Sequence, residues 1–142
     1  FFDKWLDDKK VRLFVMDVQP DAKPRDILAG SKLADLPGFG GSQGDDGQSL
    51  NAVWTPDGKG VVFAVSTNRD EAARASTFTQ IYSVPLAGGE PVQLTKDGRS
   101  YHDLRFSPDG KTLFALTEGR VRFHDGKLGR KYVSVDMAIA AE

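Results

Sequence analysis

The sequence contains no cysteine, and this absence removes several kinds of chemistry together. A chain without thiols forms no disulfide, no thiolate metal site and no cysteine nucleophile. The absence does not fix the cellular compartment, because a protein of any compartment can lack cysteine.

A long hydrophobic run and an excess of basic charge are also missing. The longest apolar run in the middle of the chain, residues 61–65, is far shorter than the roughly 20 residues that a membrane-spanning helix needs. The 19 lysines and arginines are balanced by 20 aspartates and glutamates, so nothing indicates a basic surface for binding phosphates. We therefore expect no membrane span and no nucleic-acid partner.

What is present is the composition of an ordinary folded domain. Hydrophobic residues make up 39% and charged residues 27%, which is typical of a globular chain rather than a disordered one. A length of 142 residues corresponds to one domain. The sequence begins at Phe1 and reaches charged residues almost at once, so we expect no signal peptide in it and a cut end at Phe1.

One short stretch of the sequence occurs twice. "WTPDGKGVVFAV" begins at residue 54 and "FSPDGKTLFAL" at residue 106, a spacing of 52 residues. Spacings near this length are typical of propellers and other repeat arrays. In each copy Pro presets a turn, Asp caps it and Gly supplies a left-handed residue. Each "PDGK" is therefore predicted to be the tip of a β-hairpin.

The residues around the first tip predict four consecutive strands. Residues 50–55 alternate between apolar and polar, and the β-rich run "GVVFAVST" follows the tip. "FTQIYSVP" and "VQLTK" are two further strands, joined by the turn "LAGGEP". Together they predict a four-stranded unit at residues 49–96.

Parts of the same unit are found on both sides. "VRLFVMDV" at 11–18 and "RDILAG" at 25–30 correspond to its third and fourth strands, and 101–117 to its first two. "RVRFHD" and "KYVSVDMAI" are candidates for the third and fourth strands of the last unit. We predict an all-β fold, a partial β-propeller of about two and a half four-stranded antiparallel blades that belongs to a larger ring. Its predicted parts are the end of a blade (1–30), a linker (31–48), a full blade (49–96) and the next blade with the tail (97–142).

These strands carry a resemblance to known proteins. "VWTPDGKGVVFAV", followed by "TQIYSVPLAGGEPVQLT", resembles the propeller repeat shared by the prolyl oligopeptidase family of serine peptidases and the TolB-type periplasmic propellers. "FDKWLDDKKVRLFVMDV", followed by "PRDIL", is similar to the acylaminoacyl-peptidase-like branch of that peptidase family, although "RDILAG" replaces its Arg-Asp-Leu-Thr-like ending. The resemblance covers residues 1 to about 118 and leaves the tail at 127–142 unplaced.

The resemblance implies a function for a larger bacterial protein. In such peptidases the propeller limits the access of peptides to an α/β-hydrolase domain that holds the Ser, Asp and His triad, and that domain is not in these residues. The chain is thus expected to be a non-catalytic segment, with the hydrolase domain and peptide substrates as partners. The alternative is a piece of a TolB-like protein-binding propeller without enzymatic activity, and a propeller lyase acting on sugar is a third interpretation. The location stays open, with a periplasmic or secreted one slightly favoured over a cytoplasmic one.

One motif points the other way, towards catalysis in this chain. Residues 40–44 spell G-x-S-x-G, the pattern of the serine nucleophile in α/β-hydrolases. That serine needs a buried strand before it and a helix after it, and the flanks "LADLPGF" and "DDGQSL" offer neither. Ser42 is therefore expected to lie in a glycine-rich loop.

The remaining chemical candidates are histidines and an acidic turn. His102 and His124 each precede an aspartate, but neighbours on a strand point to opposite faces and cannot form the base and orienting pair of a triad. "GDDG" at 44–47 lacks the closing carboxylate of a calcium loop. We predict no catalytic, cofactor-binding or metal-binding residue in this segment.

The meander predicts where the loops lie. Both short tips are expected at one end of the sheet, and the long segments 29–48 and 67–77 at the other end, where a docking surface would form. Residues 37–47 are expected to be a mobile linker in which Phe39 is an anchor, and 68–77 a solvated connector with one or two helical turns.

The end units are expected to leave apolar side chains without a cover. These are Phe14 and Val15 in the first half-unit and Phe114 and Leu116 in the last unit. We therefore expect the isolated chain to associate with other copies or to be partly ordered near its ends.

Overall fold

The computed structural model of the chain describes residues 10–41, 50–122 and 128–135. Within these ranges the chain is mostly antiparallel sheet with little helix, so the prediction of an all-β fold is confirmed. The strands form a two-stranded, a four-stranded and a three-stranded sheet, in that order along the chain. No helix in this part of the chain is long and apolar enough to cross a membrane.

The elements are short and follow one another closely. The strands are β1 (Phe14–Val15), β2 (Arg25–Asp26), β3 (Asn51–Trp54), β4 (Gly60–Ser66), β5 (Thr79–Pro85), β6 (Val92–Gln93), β7 (Tyr101–Phe106), β8 (Leu113–Arg122) and β9 (Leu128–Val135). The helix α1 (Lys32–Asp35) precedes β3, and a 3₁₀ helix (Arg69–Glu71) lies between β4 and β5.

The four-stranded sheet contains the four strands predicted within residues 49–96. Its strands β3, β4, β5 and β6 pair antiparallel in chain order, so each strand lies beside its neighbour in sequence. Trp54 is opposite Val61 at the first hairpin, and Gly60 is opposite Pro85 at the next pairing. The backbone N–H of Leu86 donates to the carbonyl of Lys59 at 3.0 Å, so the two short tips lie side by side as the meander predicts.

Both "PDGK" stretches are hairpin tips of the same conformation. Gly58 and Gly110 have φ angles of 69° and 71°, which is the left-handed region that a glycine adopts at little cost. The N–H of Gly58 donates to the carbonyl of Thr55 at 2.9 Å, and the N–H of Gly110 donates to Ser107 in the same way. The predicted role of both glycines is confirmed.

The aspartate of each tip holds the turn together from inside. One oxygen of Asp57 accepts the hydroxyl of Thr55 at 2.6 Å and the backbone N–H of Lys59 at 2.9 Å. These hydrogen bonds favour the charged form, the hydroxyl bond most, and lower the pKa of Asp57 below its usual value. The second tip repeats the arrangement with Asp109, Ser107 and Lys111.

The four-stranded sheet is covered on both faces by its neighbours in the chain. Side chains alternate along β4, so Phe63 enters one apolar cluster and Val62 enters another. The first cluster joins the sheet to the segment before it, and in it the rings of Phe63 and Tyr82 stack at 6.0 Å. The second cluster joins the sheet to β7 and β8. A strand buried on both faces is apolar throughout, which explains the uninterrupted run "GVVFAV".

The hairpin before the four-stranded sheet is shorter than predicted. The expected strand at 11–18 pairs only at β1, with Phe14 opposite Asp26, although the N–H of Ile27 also donates to Leu13 at 3.0 Å. In the described residues β1 has β2 as its one partner, and a ribbon of two strands has too few cross-strand contacts to stay paired over a long distance. Residues 16–21 of this hairpin are exposed to solvent. Phe14 is exposed as expected, whereas the expectation that Val15 is also uncovered is wrong, because alternation along the strand turns Val15 towards the first cluster, against which it packs.

The last sheet differs from its predicted strand order. β8 runs on to Arg122, so the first part of "RVRFHD" belongs to β8 and is not a separate third strand. β9 occupies the third position instead, overlapping the predicted fourth strand at 131–139, whose last residues lie outside the described ranges. A shift in register between Thr117 and Val121 lets β8 continue past Gly119, which the sequence does not foretell.

Residues 31–41, which belong to the linker expected at 31–48, are packed against the sheet, including 37–41 of the part expected to be mobile. α1 buries Leu33 and Ala34, and Phe39 is buried in the first cluster, so its predicted role as an anchor is confirmed. Gly40 and Ser66 exchange two backbone hydrogen bonds of 3.0 and 2.8 Å. Apolar burial and backbone pairing hold this half in place, and residues 42–48 of the expected linker lie outside the described ranges.

The two long segments, 29–48 and 67–77, were expected at the same end of the sheet, and they lie together only in part. Gly38 forms a bridge with Asn68, so the end of the first segment lies beside the start of the second as predicted. The beginning of the first segment lies elsewhere, because Lys32 contacts Glu90 in the turn between β5 and β6. The predicted helical turns in 68–77 are represented by the 3₁₀ helix, which has no buried residue.

Candidate functional site

An open groove lies between the β1–β2 hairpin and the end of β3. It has a volume of about 150 Å³ and is open to solvent. We call it the Trp54 groove, and its lining residues are Val15, Met16, Asp17, Lys23, Arg25, Trp54 and Leu86.

Trp54 reaches the groove because it is the last residue of β3. Leu50 and Ala52 pack on the first apolar cluster, and Trp54 shares their face by the alternation of a strand. The cluster ends before Trp54, so 56% of this side chain remains exposed. An exposed tryptophan offers a large apolar surface with one N–H donor, and such residues are enriched at binding interfaces.

The opposite wall comes from the β1–β2 hairpin. Val15 is paired with Arg25, and Met16 follows with 58% of its side chain exposed. The thioether of Met16 adapts its shape to an apolar partner. Lys23 and Arg25 contribute two positive charges to the lining, and Asp17 contributes one negative charge.

The floor of the groove is a turn fixed by backbone hydrogen bonds. Leu86 donates to Lys59 and packs against the first cluster, while Gly88 donates to Pro85 at 2.9 Å. The lining includes no serine, threonine, histidine or cysteine. The lining of the groove therefore offers no pair of nucleophile and base.

The structure leaves most of the chemical candidates from the sequence untested. Ser42, His124 and the "GDDG" turn at 44–47 lie outside the described residues. His102 lies in β7 and is half-buried. Asp103 follows it at a bulge with a φ of 54°, and its carboxylate lies 3.7 Å from Nε of Arg105. The non-catalytic interpretation of both histidines stays a prediction.

Hydrogen bonds between polar residues join the four-stranded sheet to the three-stranded sheet that follows it. The hydroxyl of Tyr101 donates to the carboxylate of Asp97 at 2.6 Å, and the amide of Gln80 donates to the carbonyl of Asp97 at 2.9 Å. Burial, followed by this bond to a carboxylate, raises the pKa of Tyr101 to about 12. Tyr101 keeps its proton at neutral pH, so these bonds fix the connection between the sheets.

The described residues contain no cluster of side chains that could bind a metal ion. Among the side chains that the structure describes, in residues 10–41 and 50–117, no three of His, Asp or Glu are close enough together to hold a metal ion.

The sequence points only weakly to the Trp54 groove. Met16 and Arg25 lie 29 or more residues before Trp54, and only the packing of the hairpin on the sheet brings them together. The one available signal is Trp54 itself, a large aromatic residue at a strand end that aligns with Phe106 in the repeat.

Comparison with known proteins gives no family. No protein-family model matches the chain, and no solved structure matches it. Its function is therefore argued from its repeat, its packing and its groove.

Proposed function

We propose that the chain is a segment of a β-propeller domain in which the β3–β6 sheet is one blade. The observation that carries this proposal is the packing of that sheet, which has one apolar cluster on each face and a neighbouring unit beyond each cluster. Consecutive antiparallel sheets stacked face to face are the arrangement of propeller blades. The 52-residue repeat of the hairpin tip supports the same architecture.

We further propose that this propeller belongs to a serine peptidase of the prolyl oligopeptidase family. Support comes from the stretches that resemble the acylaminoacyl-peptidase-like branch, "FDKWLDDKKVRLFVMDV" and "PRDIL". In this proposal the chain is non-catalytic and limits the access of peptides to a hydrolase domain elsewhere in the protein.

The full-length protein tests this proposal through its active serine. We expect its coding sequence to contain a further domain of about 200 residues with alternating strands and helices. We also expect G-x-S-x-G after a strand there, with the triad in the order Ser, Asp, His. A fluorophosphonate probe should label that serine, and the protein should cleave short peptides.

Ser42→Ala in the same full-length protein is the matched control. Labelling and peptide cleavage should be unchanged in this variant, because Ser42 is not the nucleophile in our proposal. Labelling lost in Ser42→Ala would overturn the non-catalytic assignment. A coding sequence without a hydrolase domain would overturn the peptidase assignment.

The second candidate is a TolB-like protein-binding propeller, and the exposed Trp54 groove favours it. The cationic side of this groove, formed by Lys23 and Arg25, would hold the carboxylate of a partner peptide while Trp54 covers an apolar side chain.

Tryptophan fluorescence tests this candidate. Trp5 is the other tryptophan of the chain, so a Trp5→Phe variant reports on Trp54 alone. Binding of an acidic, aromatic peptide should change its fluorescence, and Arg25→Ala should weaken that binding. An unchanged fluorescence would remove the groove as support for this candidate.

A further inference from the structure

Met16 places a thioether on the surface of the first hairpin. It directly follows β1, and the residue is 58% exposed. Residues 17–21, which come next, are exposed as well, and Val18 among them is fully exposed. Small molecules in solution therefore reach this side chain without any opening of the fold.

Met16 is also part of the wall of the Trp54 groove. It lines the groove together with the apolar side chains of Val15, Leu86 and Trp54. Trp54 is itself 56% exposed, so the surroundings of its ring are largely the groove and the solvent. A change in the polarity of Met16 therefore changes the surroundings of Trp54.

The fold tolerates a change at this side chain. The last pair between β1 and β2 joins Val15 to Arg25, and Met16 lies just beyond it. Met16 belongs to neither of the two apolar clusters of the described residues. A modified Met16 thus alters the groove without removing a strand pair or a buried contact.

We propose that Met16 is a site of reversible oxidation by peroxides and that its oxidation makes the Trp54 groove polar. One oxygen atom of hydrogen peroxide forms a bond to the sulfur while the O–O bond breaks. The other oxygen atom leaves as water with both hydrogen atoms of the peroxide. The thioether loses two electrons and becomes a sulfoxide, and the peroxide gains those two electrons.

The sulfoxide changes what the groove accepts. A thioether is apolar and adapts its shape to an apolar surface, whereas a sulfoxide is polar and accepts hydrogen bonds. An apolar ligand that covers the sulfoxide oxygen leaves it without a hydrogen-bond partner, which costs free energy. The oxidised groove therefore binds an apolar group less well than the reduced groove.

The exposure of the hairpin also allows the reverse step. Methionine sulfoxide reductases return the sulfoxide to the thioether, with one enzyme for each epimer. Two thiols supply the two electrons and become a disulfide, and the sulfoxide oxygen leaves as water. Such an enzyme must reach the modified side chain, and residues 16–21 are all exposed. The site depends on the groove alone, so it applies under either candidate function.

Oxidation of a simplified chain tests the proposal. Met137 is the other methionine and Trp5 the other tryptophan, so Met137→Leu with Trp5→Phe leaves Met16 and Trp54 as single reporters. With hydrogen peroxide, mass spectrometry should show the gain of one oxygen atom at a rate close to that of free N-acetylmethionine. In ¹H–¹⁵N NMR spectra the indole N–H signal of Trp54 should shift while the other signals keep their dispersion. The two reductases with dithiothreitol should restore the original mass and the original signal.

Two variants in the same background are the matched controls. Met16→Leu keeps an apolar side chain without sulfur, so peroxide should change neither its mass nor its indole signal. Met16→Gln places a polar amide on the same wall, so its indole signal should be shifted before any peroxide is added.

Four results would overturn the proposal. An oxidation rate at least about tenfold below that of N-acetylmethionine would show that the sulfur is shielded. An indole signal that stays in place after complete oxidation would show that Met16 does not control the groove. A peroxide-induced shift in Met16→Leu would show that the reagent acts on Trp54 itself. Loss of dispersion on oxidation would make the reaction a lesion instead of a reversible change.

The proposed peptidase function would be unaffected by any of these results, because it is tested separately on the labelled serine of the full-length protein.

Discussion

Glu90 caps the helix that begins at Lys32, although 58 residues separate them in the chain. One oxygen of the carboxylate accepts the backbone N–H of Lys32 at 2.8 Å, and the other accepts the N–H of Leu33 at 3.2 Å. The hydroxyl of Ser31 accepts the N–H of Ala34 at 3.2 Å. Three N–H groups of the first turn are thus satisfied, two of them by a residue in the turn between β5 and β6.

Glu90→Ala should lower the free energy of unfolding by about 1 kcal/mol, the usual effect of losing a helix cap. Glu90→Gln keeps an acceptor oxygen but loses the charge, so we expect a smaller loss. Urea unfolding of the three proteins measures the difference. Equal stability of Glu90→Ala and the unsubstituted chain would show that water replaces the carboxylate without cost.

The two tip glycines should respond differently to alanine. A Cβ at Gly58 meets no atom within 4 Å, so only the positive φ penalises it, by about 1 kcal/mol. A Cβ at Gly110 would lie 2.8 Å from Cβ of Pro56, in the tip of the preceding unit, which adds a clash. Chemical denaturation should therefore rank Gly110→Ala below Gly58→Ala in stability. A neutral result at both positions would contradict the hairpin assignment.

Gly38→Ala should detach the segment that ends at Phe39. A Cβ at Gly38 would lie 2.5 Å from the carbonyl oxygen of Thr67 and 2.7 Å from the backbone nitrogen of Arg69. Backbone atoms cannot move aside as a flexible side chain does, so we expect a loss of at least about 1–3 kcal/mol, typical of overpacking. Gly98→Ala is the control, because its Cβ would meet nothing within 4 Å. Hydrogen exchange at Gly40 and Ser66 should accelerate in Gly38→Ala alone.

Stability should fall in acid partly because of Asp57 and Asp109. Their hydrogen bonds lower the native pKa of both carboxyls below the ordinary value that each has in the unfolded chain. Between the native and the unfolded pKa, the unfolded state therefore binds more protons than the native state. The stability that these two carboxylates contribute is fully present above the unfolded pKa and is lost as pH falls through the native pKa.

The double variant Thr55→Val and Ser107→Ala tests the cause of this effect, since it removes both hydroxyl donors. The pKa of each aspartate, followed by NMR of the side-chain carboxyls, should rise towards its ordinary value. The acid-induced drop in the urea midpoint should become smaller as well. Unchanged pKa values would show that the backbone N–H of Lys59 and that of Lys111 are sufficient by themselves.

Local sequence decided the parts of the fold whose geometry is set within a few residues. In "TPDGK" and "SPDGK" the proline, the aspartate and the glycine each restrict the backbone directly, so both tips are predictable and their glycines have nearly the same φ. The period of two along residues 60–66 and 79–85 likewise predicts strands with two distinct faces.

The tertiary structure alone decided which neighbour covers each face. Alternation separates Val62 from Phe63 but does not say that one meets β7 and β8 while the other meets α1 and Phe39. The same limit applies to Phe114 and Trp54, whose patterns resemble those of buried residues although both are exposed. Burial depends on surfaces that are distant in sequence, whereas turn and strand geometry depends on adjacent residues. The sequence therefore determined the repeat and its hairpins, and long-range packing determined the ordered segment at 31–41, the third place of β9 and the Trp54 groove.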